Sequence, residues 1–151
     1  MFAPIFSAFL PIVDDLDPSL SDKAVSRVLR TLYYKAVCRR ILQSTGMRSA
    51  AALVTLLGVP KGDIVRARRK RRIPDEWFFR LCFEHRISLY WLLSGYGPQR
   101  LSRVPARNSR EGRSLEHTLW YALCLYDEIV SAGCAAAIVR RMLSRRGKEE
   151  L

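Results

Sequence analysis

The chain has no apolar run long enough to span a bilayer. Its most apolar stretches, residues 1–13 and 119–126, fall short of the ~20 residues a crossing helix needs. Acids are scarce, with 14 Asp+Glu against 26 Lys+Arg, which leaves a formal net charge of +12. Histidine occurs only as His85 and His117, each without an obvious partner, so no histidine-based catalytic constellation is expected. The four cysteines, Cys38, Cys82, Cys124 and Cys134, form no C-x-x-C pair and sit among apolar neighbours, which predicts buried free thiols and fits a reducing, cytoplasmic location. Cys82 and His85 have a C-x-x-H spacing, but without a second ligand pair no zinc site is expected. A phosphate-binding loop, a nucleophile elbow and a carboxylate dyad are all missing, so the expectation is a non-enzyme with no cofactor, metal or small-molecule substrate. Residues 1–13 lack a basic leader, Pro4 and Pro11 interrupt them, and Asp14, Asp15 and Asp17 follow at once; they read as mature sequence rather than a signal peptide.

What is present is a core and a surplus of positive charge. Hydrophobic residues make up 49% of 151, enough for one domain with extensions. The basic excess points to nucleic acid or an anionic membrane as partner.

Apolar positions recur at helical spacing almost throughout. Val25, Val28, Leu29, Leu32, Ala36, Val37 and Ile41 mark one long helix or two shorter ones over residues 19–45, closed by Gly46. Ser49 is placed to cap the next helix, which runs to Leu57 before a turn at Gly58. A further helix is expected from Lys61 to about Arg71. Pro74 then starts another, with Asp75 and Glu76 in its first turn and Trp77, Phe78, Leu81 and Cys82 on its apolar face. Ser88 caps a short last helix that ends at Gly95. Trp77, Phe78, Phe79, Trp91 and Leu92 have the spacing of a core rather than of a base-stacking platform.

Residues 49–72 carry the most information. An apolar helix, a short turn and a strongly basic second helix make the pattern of a helix-turn-helix, whose second helix enters the DNA major groove. Seven of the twelve residues from 61 to 72 are Lys or Arg, and no acid in the run from Arg66 to Arg72 balances them. The exposed start of this helix supplies the candidate base contacts: Lys61, Gly62, Asp63, Val65 and Arg66. Arg66 is the leading guanine reader, because its planar fork matches O6 and N7, and Val65 is placed for a thymine methyl. Asp63 is expected chiefly to stabilise the helix N-terminus. Ile64 and Ala67 face inward. Ser49, Arg68, Arg69, Lys70, Arg71 and Arg72 are the candidate phosphate contacts.

Three runs together, ALVTLLGV, RRKRRIPDEWFFRLCFEH and ISLYWLLSGYGP, resemble the helix-turn-helix domain of phage CI-type repressors. The closing run from Ser88 to Pro98 is the most specific of them. The resemblance spans about sixty residues, from about Arg40 to Gln99. It implies an all-α fold: a lambda-repressor-like helix-turn-helix bundle of about five helices, with an extra N-terminal helix and a C-terminal helix. It also implies a transcriptional regulator that reads double-stranded DNA. The chain departs from the family pattern at Val54, Pro60, Gly62 and Ala67, and Gly62 offers no side chain where a reading helix begins.

The expected organisation is an irregular segment at residues 1–18, a DNA-binding domain at 19–97 with its core at 36–97, a basic linker at 98–113 and a helical segment at 114–151. In that last segment Leu115, Leu119, Ala122, Tyr126 and Ile129 form a stripe suited either to pairing with a second copy, giving a homodimer, or to docking on the main domain. Two other readings stay open: an adaptor that keeps the fold without reading bases, and a peripheral protein that uses residues 1–13 and its basic segments on anionic lipid.

Overall fold

The computed structural model describes Ser19 and residues 21–131. The expectations for residues 1–18 and for the end of the chain beyond 131 lie outside the described residues.

Among the described residues six helices follow one another: α1 (Asp22–Thr45), α2 (Ala52–Leu57), α3 (Lys61–Lys70), α4 (Asp75–His85), α5 (Leu89–Ser94) and α6 (Arg110–Ser131). The described residues are all-α, apart from one isolated antiparallel bridge between Ile87 and Arg100. The first segment is a single helix. The Ser21 side chain accepts from the Ala24 N–H at its start, and Gly46 ends it at φ 70°, a left-handed conformation that glycine adopts without a Cβ penalty.

Most expected boundaries hold within a residue or two. The Ser49 hydroxyl accepts from the Ala52 N–H at 3.4 Å, at the entry to α2. Pro74 stands one place earlier than expected, as the residue before α4, with Asp75 and Glu76 in the first turn. The Ser88 hydroxyl accepts from the Trp91 N–H at 3.3 Å and caps α5. α3 ends at Lys70, because Arg71 turns to φ 53°.

The core is one cluster. Leu29, Tyr33, Val37 and Ile41 of α1 meet Leu53 and Leu57 of α2, Ala67 of α3, and Trp77, Phe78, Leu81 and Cys82 of α4. Leu89, Trp91, Leu92 and Leu93 of α5 complete that side. All the aromatic residues assigned to the core on spacing are buried there.

Three arginines close four helix C-termini. Arg40 donates to the Leu92 carbonyl at 2.9 Å, Arg100 donates to those of His85 (2.9 Å) and Ser44 (2.8 Å), and Arg80 donates to that of Leu57. The last carbonyls of a helix have no intrahelical donor and carry the negative end of its dipole, so a guanidinium satisfies both needs. Part of the basic surplus is therefore structural.

The stretch expected as a basic linker is packed. The Leu101 N–H donates to the Arg86 carbonyl at 2.7 Å, and the Ser88 N–H donates to that of Gln99 at 3.0 Å. The Arg107 guanidinium spans Glu76 of α4, at 2.7 and 3.0 Å, and Glu116 of α6, at 3.0 and 3.2 Å. It also lies 5.5 Å from the Phe79 ring centroid and 5.7 Å from that of Phe83, within cation–π range. α6 starts at Arg110 rather than Ser114. The Ser109 hydroxyl accepts from the Gly112 N–H at 3.0 Å, and Gly112 is the residue there that fits, because a Cβ at this position would meet the Ala106 carbonyl oxygen at 1.9 Å.

The α6 stripe docks on the domain. Leu119 and Leu123 are buried in the common core, with Leu115, Ala122 and Tyr126 packed against it, and the Tyr126 ring centroid lies 4.3 Å from that of Tyr33. Trp120 and Tyr121 face outward, 48% and 58% exposed. The Ile129 side chain is outside the described residues.

Candidate nucleic-acid interface

The geometry around residues 52–70 starts from two anchors and a glycine. α2 buries Leu53 and Leu57, then Gly58 turns the chain at φ 63° and its N–H donates back to the Val54 carbonyl. Pro60, extended at ψ 147°, leads into α3. Ala67 is buried and Ile64 packs partly against the core, so the inward face of α3 is fixed as the sequence implied. Arg80 donates to the carbonyl of Leu57, so α4 holds the turn that sets the direction of α3.

With that face inward, α3 presents Lys61, Gly62, Val65, Arg66, Arg68, Arg69 and Lys70 to solvent. Val65 is 56% exposed, a branched apolar side chain with no place in the core. Gly62 has nothing within 4 Å of where a Cβ would sit, so its smallness answers no packing need. Asp63 is half-buried in the first turn, where a carboxylate favours the helix N-terminus, and its Oδ1 accepts from Arg66 at 3.3 Å.

Two basic residues of the run are balanced by acids, contrary to the sequence expectation. Arg66 pairs with Asp63 at 3.3 Å, and Arg72 pairs with Asp127 of α6 at 2.6 Å. The second partner is 55 residues away in sequence, beyond any local pattern. Arg71 and Arg72 lie past the end of α3, so the run divides into a helical part, residues 66–70, and a turn. Ser49 is exposed ahead of α2, its hydroxyl engaged with the Ala52 N–H.

The turn geometry, the inward pair Ile64 and Ala67 and the basic outward face together define a helix-turn-helix. Residues 36–100 match the family model of the bacteriophage CI repressor helix-turn-helix domain. The match begins within α1, takes in α2 to α5 and ends at Arg100, the residue that closes α1 and α4. It covers less than half of the 151 residues and leaves α6 outside. No curated protein and no solved structure matches the chain. The likeness of residues 36–100 to that repressor domain points to a DNA-binding regulator.

Other chemistry is sparse. Among the described residues no group of three or more His, Cys, Asp or Glu is arranged to hold a metal ion, and no helix is long and apolar enough to cross a membrane. Cys38, Cys82 and Cys124 are free thiols, and Cys134 lies outside the described residues. Burial pushes the Cys82 thiol up to about 11 and raises that of Cys38. Near α3, burial raises the Asp75 carboxyl, whereas hydrogen bonds from Arg107 hold the Glu76 carboxyl below its ordinary value.

The arginines that support the interface, Arg40, Arg80, Arg100 and Arg107, were not singled out for these roles from the sequence. Arg80 carries one local signal: it stands four residues after Glu76 on the same helix, and the two approach to 3.6 Å. Each of the other three has at least one partner on a distant segment: Leu92 for Arg40, Ser44 for Arg100 and Glu76 for Arg107.

Proposed function

We propose that this protein is a sequence-specific transcriptional regulator of the phage-repressor type that reads the DNA major groove with α3. The observation that carries this reading is the anchoring of α3 by Ala67 while Lys61, Val65, Arg66 and Arg69 stand in solvent on the same helix. Arg66 addresses a guanine, Val65 a thymine methyl, and Lys61, Gly62 and Asp63 lie along the same edge. Arg68, Arg69, Lys70, Arg71, Arg72 and Ser49 address phosphates and fix position without reading sequence. The Asp63–Arg66 pair does not oppose this role. Exposed pairs contribute only ~0.2–1 kcal/mol, less than the ~1–3 kcal/mol of discrimination from a bidentate guanine contact.

A two-fold pair of copies on a palindromic site doubles the phosphate contacts available to one short reading helix. With Leu119 and Leu123 buried within the domain, pairing through α6 falls to its outer face at Trp120 and Tyr121.

The open space at Gly62 favours one other reading, a domain that grips duplex DNA without choosing sequence. One experiment separates them: selection from a random duplex pool by the wild type and by Arg66→Ala in parallel. A palindromic motif that degrades at one position in the mutant is the expected result. Tight, salt-sensitive recovery of every sequence would overturn base reading in favour of the second.

A further inference from the structure

A cavity of about 360 Å³ opens between α1, the turn after α3 and α6, a volume within the usual range for small-molecule sites. Its inner wall is made by the rings of Tyr33, Phe78 and Tyr126 together with Val37 and Leu123. The Tyr33 hydroxyl donates to the Leu93 carbonyl at 2.6 Å and its ring lies 4.3 Å from that of Tyr126, so these two walls are held in place. The rim differs in chemistry. Arg30, Lys70, Arg71 and Arg72 stand around it against two carboxylates, Asp75 and Asp127. Asp127 is already paired with Arg72 at 2.6 Å, which leaves the surplus positive. Tyr34 also lines the cavity, and burial raises its phenol so that it stays a protonated hydroxyl.

Flat aromatic walls inside and uncompensated cations at the lip select a ligand with both features. An inorganic anion leaves the rings unused, and a neutral hydrocarbon leaves the cations unused. We propose that this cavity is a binding site for a small aromatic carboxylate of one or two rings, with the ring against Tyr126 and Phe78 and the carboxylate toward Arg30 and Arg71. The site needs no DNA for its formation, so it stands or falls apart from the reading of α3, although Lys70, Arg71 and Arg72 belong to both regions.

The test uses the full chain without DNA. 2-Naphthoate and benzoate are titrated at constant ionic strength, with acetate and 2-naphthol as controls. The expected result is a saturable rise in Tm of about 3–6 °C with 2-naphthoate, smaller with benzoate and missing with acetate. Intermolecular NOEs from the naphthalene protons to the Phe78 and Tyr126 rings locate the ligand. Arg30→Glu, an exposed position that leaves the core intact, weakens binding about fivefold. A rise matched by acetate, an equal rise with 2-naphthol, or NOEs to other residues with an undiminished response in Arg30→Glu would overturn the proposal.

Discussion

Leu123→Ala tests whether α6 belongs to the fold of the single chain. Leu123 is 3% exposed and sits in the same cluster as Leu29, Tyr33 and Phe78, beside Tyr126 at the edge of the cavity. Removing a buried leucine to its Cβ costs the transfer of its atoms from water plus the void left behind, about 2–5 kcal/mol over measured series. The nearby cavity lets neighbours relax, which places Leu123 toward the lower half, about 2–3 kcal/mol. For a domain whose whole stability is about 5–15 kcal/mol that is a large share, and it corresponds to a fall in Tm of roughly 4–12 °C. The assay is urea and thermal unfolding at two protein concentrations a hundredfold apart. Because the contact lies within one chain, the loss is the same at both. A loss of stability that vanishes at the higher concentration would refute the reasoning and return the α6 stripe to a seam between copies, and a change in Tm below about 2 °C would refute the packing itself.

Gly112→Ala forces a Cβ to within 1.9 Å of the Ala106 carbonyl oxygen, so the turn before α6 must open; urea melts should show a loss of about 1–3 kcal/mol. Gly62→Ala meets nothing within 4 Å and replaces the poorest ordinary helix former, so the same assay should show a gain of about 0.5–1 kcal/mol. The Glu76 carboxyl is held below its ordinary value of 4.5, first by hydrogen bonds from Arg107. A group depressed in the folded state stabilises above its unfolded value and loses that contribution as pH falls. The stability difference between wild type and Glu76→Gln should therefore be present at pH 7 and shrink as pH drops below about 4.5, as followed by unfolding at stepped pH. If a pair of copies neutralises ~8 phosphates, log K for duplex DNA should fall against log salt with slope about −7; a slope near −3 in a filter-binding series would sink the two-copy arrangement.

The sequence alone was enough for the helix-turn-helix. Helical spacing, the glycine at the turn, the capping serines Ser49 and Ser88, and the inward pair Ile64 and Ala67 are local properties, and local hydrogen bonding and periodicity act over a few residues. The outward basic face of α3 follows by subtraction once its buried face is known. Tertiary structure decided what the charges outside α3 do. Arg72 meets Asp127, Arg107 joins Glu76 to Glu116, and Arg40, Arg80 and Arg100 close helix ends up to 56 residues away. An arginine carries the same charge and reach wherever it stands, so its partner is set by which segments the fold brings within a few ångströms. The same holds for α6: a 4-3-4-3 stripe suits a partner chain and its own domain equally well. Here the open side of α1 and α4 takes it, because that apolar surface is held close by the chain itself, which a second copy would have to reach by diffusion.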